Sequence, residues 1–270
     1  KPYTYFIDAV INQIVDDLVT EKSYTETQAY NLLYSGGLTI KVTQDADIQA
    51  ICDDEVANVG DYLNGDTEYG LDYALTIHRA DGSSENYGSE GAAQEAVDAF
   101  KSTLNINEAG GDTVDERIEL SPQPQTSVVV MDQYTGQVKA IVGGRGEKNS
   151  SLSLNRATDS ARQPGSCFKI LAASVNNGDK KYIGQTRVRY GIEHSMNVLA
   201  VKTLTDYVGE TESYDYLLNF GFTTLSEDDK YSQAKALGGI TNGVYNIEMT
   251  AAYAAIANGG TYTKPILYPQ

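Results

Sequence analysis

Apolar side chains recur at helical spacing near the start of the chain, with Phe6, Ile7, Val10, Ile11, Ile14 and Leu18 on one stripe, which predicts an amphipathic helix over 6–19 with one buried face. Thr25 followed by Gln28 has the form of a capping box, so a second helix is expected over 26–34, stopped by Gly36 and Gly37. A strand over 38–42 follows, then a third helix capped by Asp45 and reaching about residue 62. Tyr73, Leu75 and Ile77 alternate as a half-buried strand that ends at the turn-forming pair Asp81 and Gly82. Another helix is expected over 90–104. Residues 105–125 mix Gly110, Gly111, several charges, Pro122 and Pro124 with little periodicity, the signature of an interdomain linker.

Beyond that stretch the pattern sharpens. Residues 127–131 and 137–142 are β-rich runs separated by Asp132, Gln133, Tyr134, Thr135 and Gly136, which predicts a hairpin with a glycine free to take positive φ. Residues 157–165 read as a loop, broken by Pro164 and Gly165, and residues 166–174 as a helix with Ser166 at its start. Helices are expected over 188–207, 212–220 and 247–257, the last ended by Asn258, Gly259 and Gly260. No internal repeat or low-complexity tract interrupts the series.

Composition narrows the function classes. The 270 residues are enough for one large domain with a smaller attached module. With 20 Lys and Arg against 37 Asp and Glu, the formal net charge is −17, and such a surface repels the phosphate backbone of nucleic acids. No run of about 18 to 20 apolar residues spans a bilayer, so the chain as given is expected to be soluble, its opening at Lys1 and Pro2 reading as an excised fragment with any membrane anchor upstream. Cys52 and Cys167 are too few for a disulfide framework, and neither stands at metal-ligand spacing from His78 or His194. No metal site and no cofactor are expected.

One constellation carries chemistry. Residues three apart on a helix share a face, with Cβ atoms roughly 5–6 Å apart, so Ser166, Cys167, Phe168 and Lys169 set an amine beside a hydroxyl. A serine hydroxyl becomes a useful nucleophile when a neighbouring base takes its proton, and a lysine with a lowered pKa is such a base. The free N–H groups of a helix start favour the anion that develops when a carbonyl is attacked, which makes the Ser166 N–H a natural oxyanion donor. The spacing alone is weak, since Ser232, Gln233, Ala234 and Lys235 repeat it; that second match reads as a solvated polar turn before Leu237, Gly238 and Gly239.

Asn155-Arg156-Ala157-Thr158 followed by Arg162-Gln163-Pro164-Gly165-Ser166-Cys167-Phe168-Lys169 resembles the first active-site motif of class A penicillin-binding proteins. Ser195-Met196-Asn197 is similar to the family's second motif, S-x-N, selected from the other matches at Ser84/Asn86, Ser153/Asn155 and Ser174/Asn176 by its order after Ser166 and its helical setting. Residues 127–144 resemble the family's opening hairpin, and Ala236-Leu237-Gly238-Gly239 with Gly243-Val244 a later segment. Tyr34-Ser35-Gly36-Gly37-Leu38-Thr39-Ile40 is similar to the connector before the transpeptidase domain. The likeness is weakest over residues 57–121, read as a family-variable insertion. Two features depart from the pattern: no Lys is followed by Ser or Thr and then Gly, and Ser166 and Ser195 stand only 29 positions apart, with an abrupt join expected within 176–181.

What the resemblance implies is an α+β fold: an antiparallel sheet flanked by helices in a transpeptidase domain over 122–270, incomplete at its C-terminal end, preceded by a smaller α+β connector over 1–121. It also implies a serine D,D-transpeptidase of the extracellular face of the bacterial cytoplasmic membrane. Ser166 would attack the D-Ala-D-Ala carbonyl of a peptidoglycan stem peptide, Lys169 would take its proton, Ser195 would relay that proton, and Asn197 would bind the substrate amide. β-Lactams would acylate the same serine, and other cell-wall synthesis proteins would be partners. The alternatives are a D,D-carboxypeptidase or serine β-lactamase, in which water resolves the acyl-enzyme, and a β-lactam sensor or non-catalytic cell-wall scaffold on the same fold.

Overall fold

The computed structural model describes residues 2–58, 68–90, 94–172 and 187–269. In chain order the elements are helices α1 (Tyr5–Lys22), α2 (Glu26–Ser35) and α3 (Ala46–Ala57), strands β1 (Glu68–His78) and β2 (Ser84–Glu90), helix α4 (Gln94–Thr103), and strands β3 (Thr113–Gln123), β4 (Val128–Met131) and β5 (Val138–Val142). There follow a 3-10 turn (Gly165–Phe168), α5 (Lys169–Ala172), α6 (Val188–Glu193), α7 (Asn197–Thr203), a π turn (Leu204–Val208), α8 (Glu210–Asn219), α9 (Glu227–Lys230), a 3-10 helix (Gln233–Leu237) and α10 (Asn246–Ala257). The fold is α+β with antiparallel sheets. Two compact units form: a larger one from residues 1–54, 127–143 and 148–270, and a smaller one from 55–126 and 144–147.

In the larger unit α1 lays its apolar stripe on the β4–β5 hairpin: Phe6, Val10 and Ile14 share a core with Val138, Ile141, Ala157 and Leu267. Thr4 caps α1 by accepting the Ile7 N–H, and the capping box expected of Thr25 and Gln28 opens α2. An ion pair from Lys148 to the buried Asp8, 2.7 Å long, ties α1 to the loop after the hairpin. Gly136 takes φ 76° in the hairpin turn, as expected. Residues 38–42 are not a strand. Their backbone is without a ladder partner, Leu38 and Ile40 are exposed, and pairing starts only at Thr43, whose N–H donates to Leu267 O at 2.9 Å. Gln49 then closes the edge of β5, exchanging two 3.0 Å bonds with the Ile141 backbone.

In the smaller unit β1 is the central strand, in the order β2-β1-β3. Leu71, Tyr73, Leu75 and Ile77 form its buried face, with Tyr87, Leu104, Ile106 and Val114 packed against them. The expectation of a linker over 105–125 is overturned: β3 pairs with β1 along its whole length, from His78 opposite Thr113 to Glu68 opposite Gln123. Charge does not prevent it, because Glu116 lies beside Leu75 and is neutralised by Lys101 at 2.8 Å. Arg79 fixes the β1–β2 turn through Glu85 and Asp112.

Several helices run as the periodicity predicts, within a few residues at each end. The third ends at Ala57 with a turn at Asn58, and residues 59–62 of its expected span lie outside the described residues, as do 91–93, 173–174 and the join within 176–181. The single helix expected over 188–207 is instead broken: α6 and α7 are separated by a turn in which Ser195 takes φ 47°.

Candidate active site

Ser166 lies in a tight turn whose neighbours point in opposite senses. Ser166 is exposed, whereas Phe168 and Lys169, two and three residues on, are buried. Phe168 packs with Leu217, Phe222, Ile240, Val244 and Ala252, meeting the Phe222 ring edge-on at 5.2 Å. That anchor sets the rotation of the turn and thereby the direction of both the hydroxyl and the amine. Tyr253 of α10 adds a 2.6 Å bond from its hydroxyl to Cys167 O.

Lys169 is only 5 % exposed, and burial lowers its pKa from the usual 10.5. Its amine donates to Ser195 twice, to Oγ at 2.9 Å and to the backbone O at 2.8 Å. Both acceptors face the amine because the backbone turns sharply at Ser195. Its φ of 47° is in the left-handed region that a residue with a Cβ rarely enters, and the Met196 N–H closes the turn onto Gly191 O at 2.9 Å. At Gly191 a Cβ would meet the tip of the Leu199 side chain, which would have to shift to admit it. Asn197 opens α7, two residues past Ser195. The structure therefore joins Lys169 to Ser195 directly, with Ser166 and Asn197 flanking them along the chain. Among the described residues no hydrogen bond links the Ser166 hydroxyl to either.

The loop before Ser166 is gripped from the other side. Arg162 and Val244 exchange backbone bonds of 3.0 and 2.9 Å, and Gln163 accepts the Ile240 N–H at 2.8 Å while donating to Ile240 O. Gly238, at φ 78°, packs so closely that a Cβ would overlap the Gly165 backbone. The motif residues 162–165 and 236–244 thus form one cradle.

The second Ser/Lys match is not a solvated turn. Lys235 is 0 % exposed and donates to the carbonyls of Asp229, Lys230 and Ser232 at 3.1, 2.9 and 3.2 Å, while the Ser232 hydroxyl accepts the Ala234 N–H. Burial lowers its pKa, opposed by the Glu210 and Asp229 carboxylates. The match has a structural role, but a buried one. Sequence reasoning also missed the Gln163 clamp and Tyr253; the signals available were the glutamine next to Pro164 and the paired glycines 238 and 239.

The family described as the penicillin-binding protein transpeptidase domain matches residues 126–176 and 173–270, more than half of the chain, and the chain belongs to that family. The match breaks at 173–176, close to the join expected from the sequence. Penicillin-binding protein 1A of Clostridium botulinum is 27 % identical over 303 aligned positions, covering 98 % of this chain and 30 % of the relative. Penicillin-binding protein 1A of Clostridium acetobutylicum is 27 % identical over 304, covering 98 % and 31 %. The aligned lengths exceed the 270 residues of the chain, so these relatives carry segments it lacks. The chain spans about a third of their length. A solved structure of PonA1 from Mycobacterium tuberculosis in complex with penicillin V shares the fold, with a TM-score of 0.55 at 17 % identity over 97 % of this chain and 61 % of that one. Among the described residues no helix is long and apolar enough to cross a membrane.

Proposed function

We propose that this chain carries the acylating centre of a serine D,D-transpeptidase that cross-links peptidoglycan stem peptides. The observation that carries the reading is the bonding of Lys169. A neutral lysine amine has two N–H bonds and one lone pair. Both N–H bonds are taken by Ser195 Oγ and O, which leaves the lone pair for the hydroxyl of Ser166, one turn earlier. Burial favours that neutral form.

In the proposed reaction Ser166 Oγ attacks the carbonyl carbon of the penultimate D-Ala, and its proton passes to Lys169 Nζ. Collapse of the tetrahedral intermediate breaks the C–N bond. The Ser195 hydroxyl gives its own proton to the departing D-Ala amine and takes in its place the proton that Lys169 Nζ received from Ser166, which returns the lysine to its neutral form. An amine from a second stem peptide then attacks the acyl-enzyme and regenerates Ser166. Asn197, at the start of α7, is assigned to the substrate amide, and a β-lactam carbonyl would take the place of the D-Ala carbonyl. The penicillin complex of the PonA1 neighbour supports β-lactam binding here. Cross-linking of peptidoglycan would place the protein at the extracellular face of the cytoplasmic membrane. We assign residues 122–270 to the transpeptidase domain, supported by the family match from residue 126, and 1–121 to a connector. The first 54 residues of that connector contribute α1 to the transpeptidase core.

The test is to incubate the full-length protein and its Ser166→Ala variant with a fluorescent penicillin and to measure the adduct by mass. One covalent adduct on the wild type and none on the variant is expected; labelling that survives the substitution refutes Ser166. A stem-peptide mimic with an added amine acceptor separates transfer from trapping. An adduct without transfer would identify a β-lactam sensor, and release to water a carboxypeptidase or β-lactamase.

A further inference from the structure

Lys235 is buried, and the proposed reaction does not use it. A methionine of similar length would fill the same space without the cost of removing an ammonium from water. What the ammonium adds is three donors, all spent on carbonyls at the end of α9 and in the turn after it. The same turn is held from within by Asp229, which is 1 % exposed: one carboxylate oxygen accepts the Ser226 N–H and hydroxyl, and the other the Thr241 N–H and hydroxyl. Burial raises the pKa of this carboxyl, but the bonds from Ser226 and Thr241 outweigh it and keep the group ionised.

From that knot two short paths lead to the reacting residues. Thr241 is the neighbour of Ile240, whose N–H and C=O are both bound by the Gln163 side chain, three residues before Ser166. Lys235 itself lies in the 3-10 helix that ends at Gly238, the residue packed against Gly165. The other side of that 3-10 helix, through Ala236, shares a small apolar cluster with Ala200 and Leu204, which continue the helix that begins at Asn197.

We propose that Lys235 is a positioning residue for Ser166: its three bonds fix the 229–241 loop, and that loop, through Ile240–Gln163 and Gly238–Gly165, fixes the turn from which the serine projects. The serine and lysine of the second match thus support the first. This rests on Ser166 being the nucleophile.

The test is the kinetics of acylation by a fluorescent penicillin at 25 °C, resolved into the half-saturating concentration and the limiting acylation rate, on the full-length protein. Lys235→Met is expected to lower the limiting rate by roughly 10- to 100-fold, the cost of a small misplacement of reacting groups, with the half-saturating concentration little changed. Gln163→Ala should do the same from the exposed side. The double variant should fall no further than Lys235→Met alone, because the Gln163–Ile240 contact is one of the two through which Lys235 acts. Val10→Ala, a cavity in the α1 core away from the loop, controls for destabilisation: it should lower Tm and leave the limiting rate unchanged. If Lys235→Met does not fold, Thr241→Val, which removes only the hydroxyl bond to Asp229, replaces it in the cycle with Gln163→Ala. A folded loop variant with a wild-type limiting rate, losses that multiply in the double variant, or an equal loss in Val10→Ala overturns the proposal. Labelling that persists in Ser166→Ala instead overturns the assignment of the nucleophile.

Discussion

Replacing Ser195 by alanine and by glycine separates two things that this residue does at once. Its hydroxyl accepts from Lys169 at 2.9 Å, and its backbone sits at φ 47°. Both variants lose the hydroxyl bond to a buried amine, which costs about 1–2 kcal/mol of stability; the 2.8 Å bond to the backbone O remains in both. Alanine keeps a Cβ in the left-handed region, which costs about 1–2 kcal/mol. Glycine removes that strain but gives back about 0.5–1 kcal/mol through its greater freedom in the unfolded chain. The glycine variant is therefore expected to be more stable than the alanine variant by about 0.5–1 kcal/mol, a Tm difference of roughly 2 °C for a body of this size. Acylation should not follow that order. With the proposed proton relay gone in both, each should be acylated by a fluorescent penicillin about 10²-fold or more slowly than wild type. Scanning calorimetry reads the first quantity and stopped-flow labelling the second. A glycine variant no more stable than alanine would show that the turn at Ser195 is unstrained. Wild-type acylation in either variant would remove Ser195 from the reaction.

Three further outcomes are expected. Phe168→Ala, which empties the site beside Phe222, should destabilise the protein by about 3–5 kcal/mol and slow labelling below Tm as the turn loses its anchor, read by thermal unfolding and labelling together. Because burial lowers the pKa of Lys169, the acylation rate should rise with pH through a midpoint below 10.5, while Lys169→Met should be slow and lack that rise; a wild-type profile flat to pH 10 refutes lysine as base. Asp112 is held below its ordinary 3.8 by the Asn107 N–H, Arg79 and the Ala80 N–H, so its contribution to the smaller unit is complete above 3.8 and is lost as pH falls through the lower folded value. Hydrogen exchange of the β1–β3 amides should show that loss in the wild type and a flatter response in Asp112→Asn.

The parts of the fold that were legible are those whose pattern is local. Helix α1 declares itself by its stripe, α2 by Thr25 and Gln28, and the β4–β5 hairpin by alternation around a glycine turn. Strand β3 does not, because its sequence is polar and charged at most positions and only its partner makes it a strand: the apolar face belongs to β1. The reverse error at 38–42 has the same cause, a β-prone run that finds no partner edge. At the candidate site, motif spacing and order put forward Ser166, Lys169, Ser195 and Asn197 as candidates, and the structure bonds two of them, Lys169 and Ser195, to each other. The backbone conformation of Ser195 was not legible, since serine carries no signal for positive φ, and neither was the burial of Lys235. A lysine between two alanines reads as surface until the carbonyls that bind it have been brought together by distant residues.

The packing of α1 on the hairpin has a consequence for how this protein can be divided. The larger unit is built from stretches that are remote in sequence, with Phe6, Val10 and Ile14 on one side and Val138, Ile141 and Leu267 on the other, and with Asp8 paired to Lys148 across them. A protease nick within residues 55–126 would leave that core intact and turn the larger unit into a two-chain complex held by its own buried surface. The same place is where the gene could be split: the first 54 residues and the remainder, expressed apart, would have to find each other to rebuild that core, and a rise in Tm on mixing would report their reassembly.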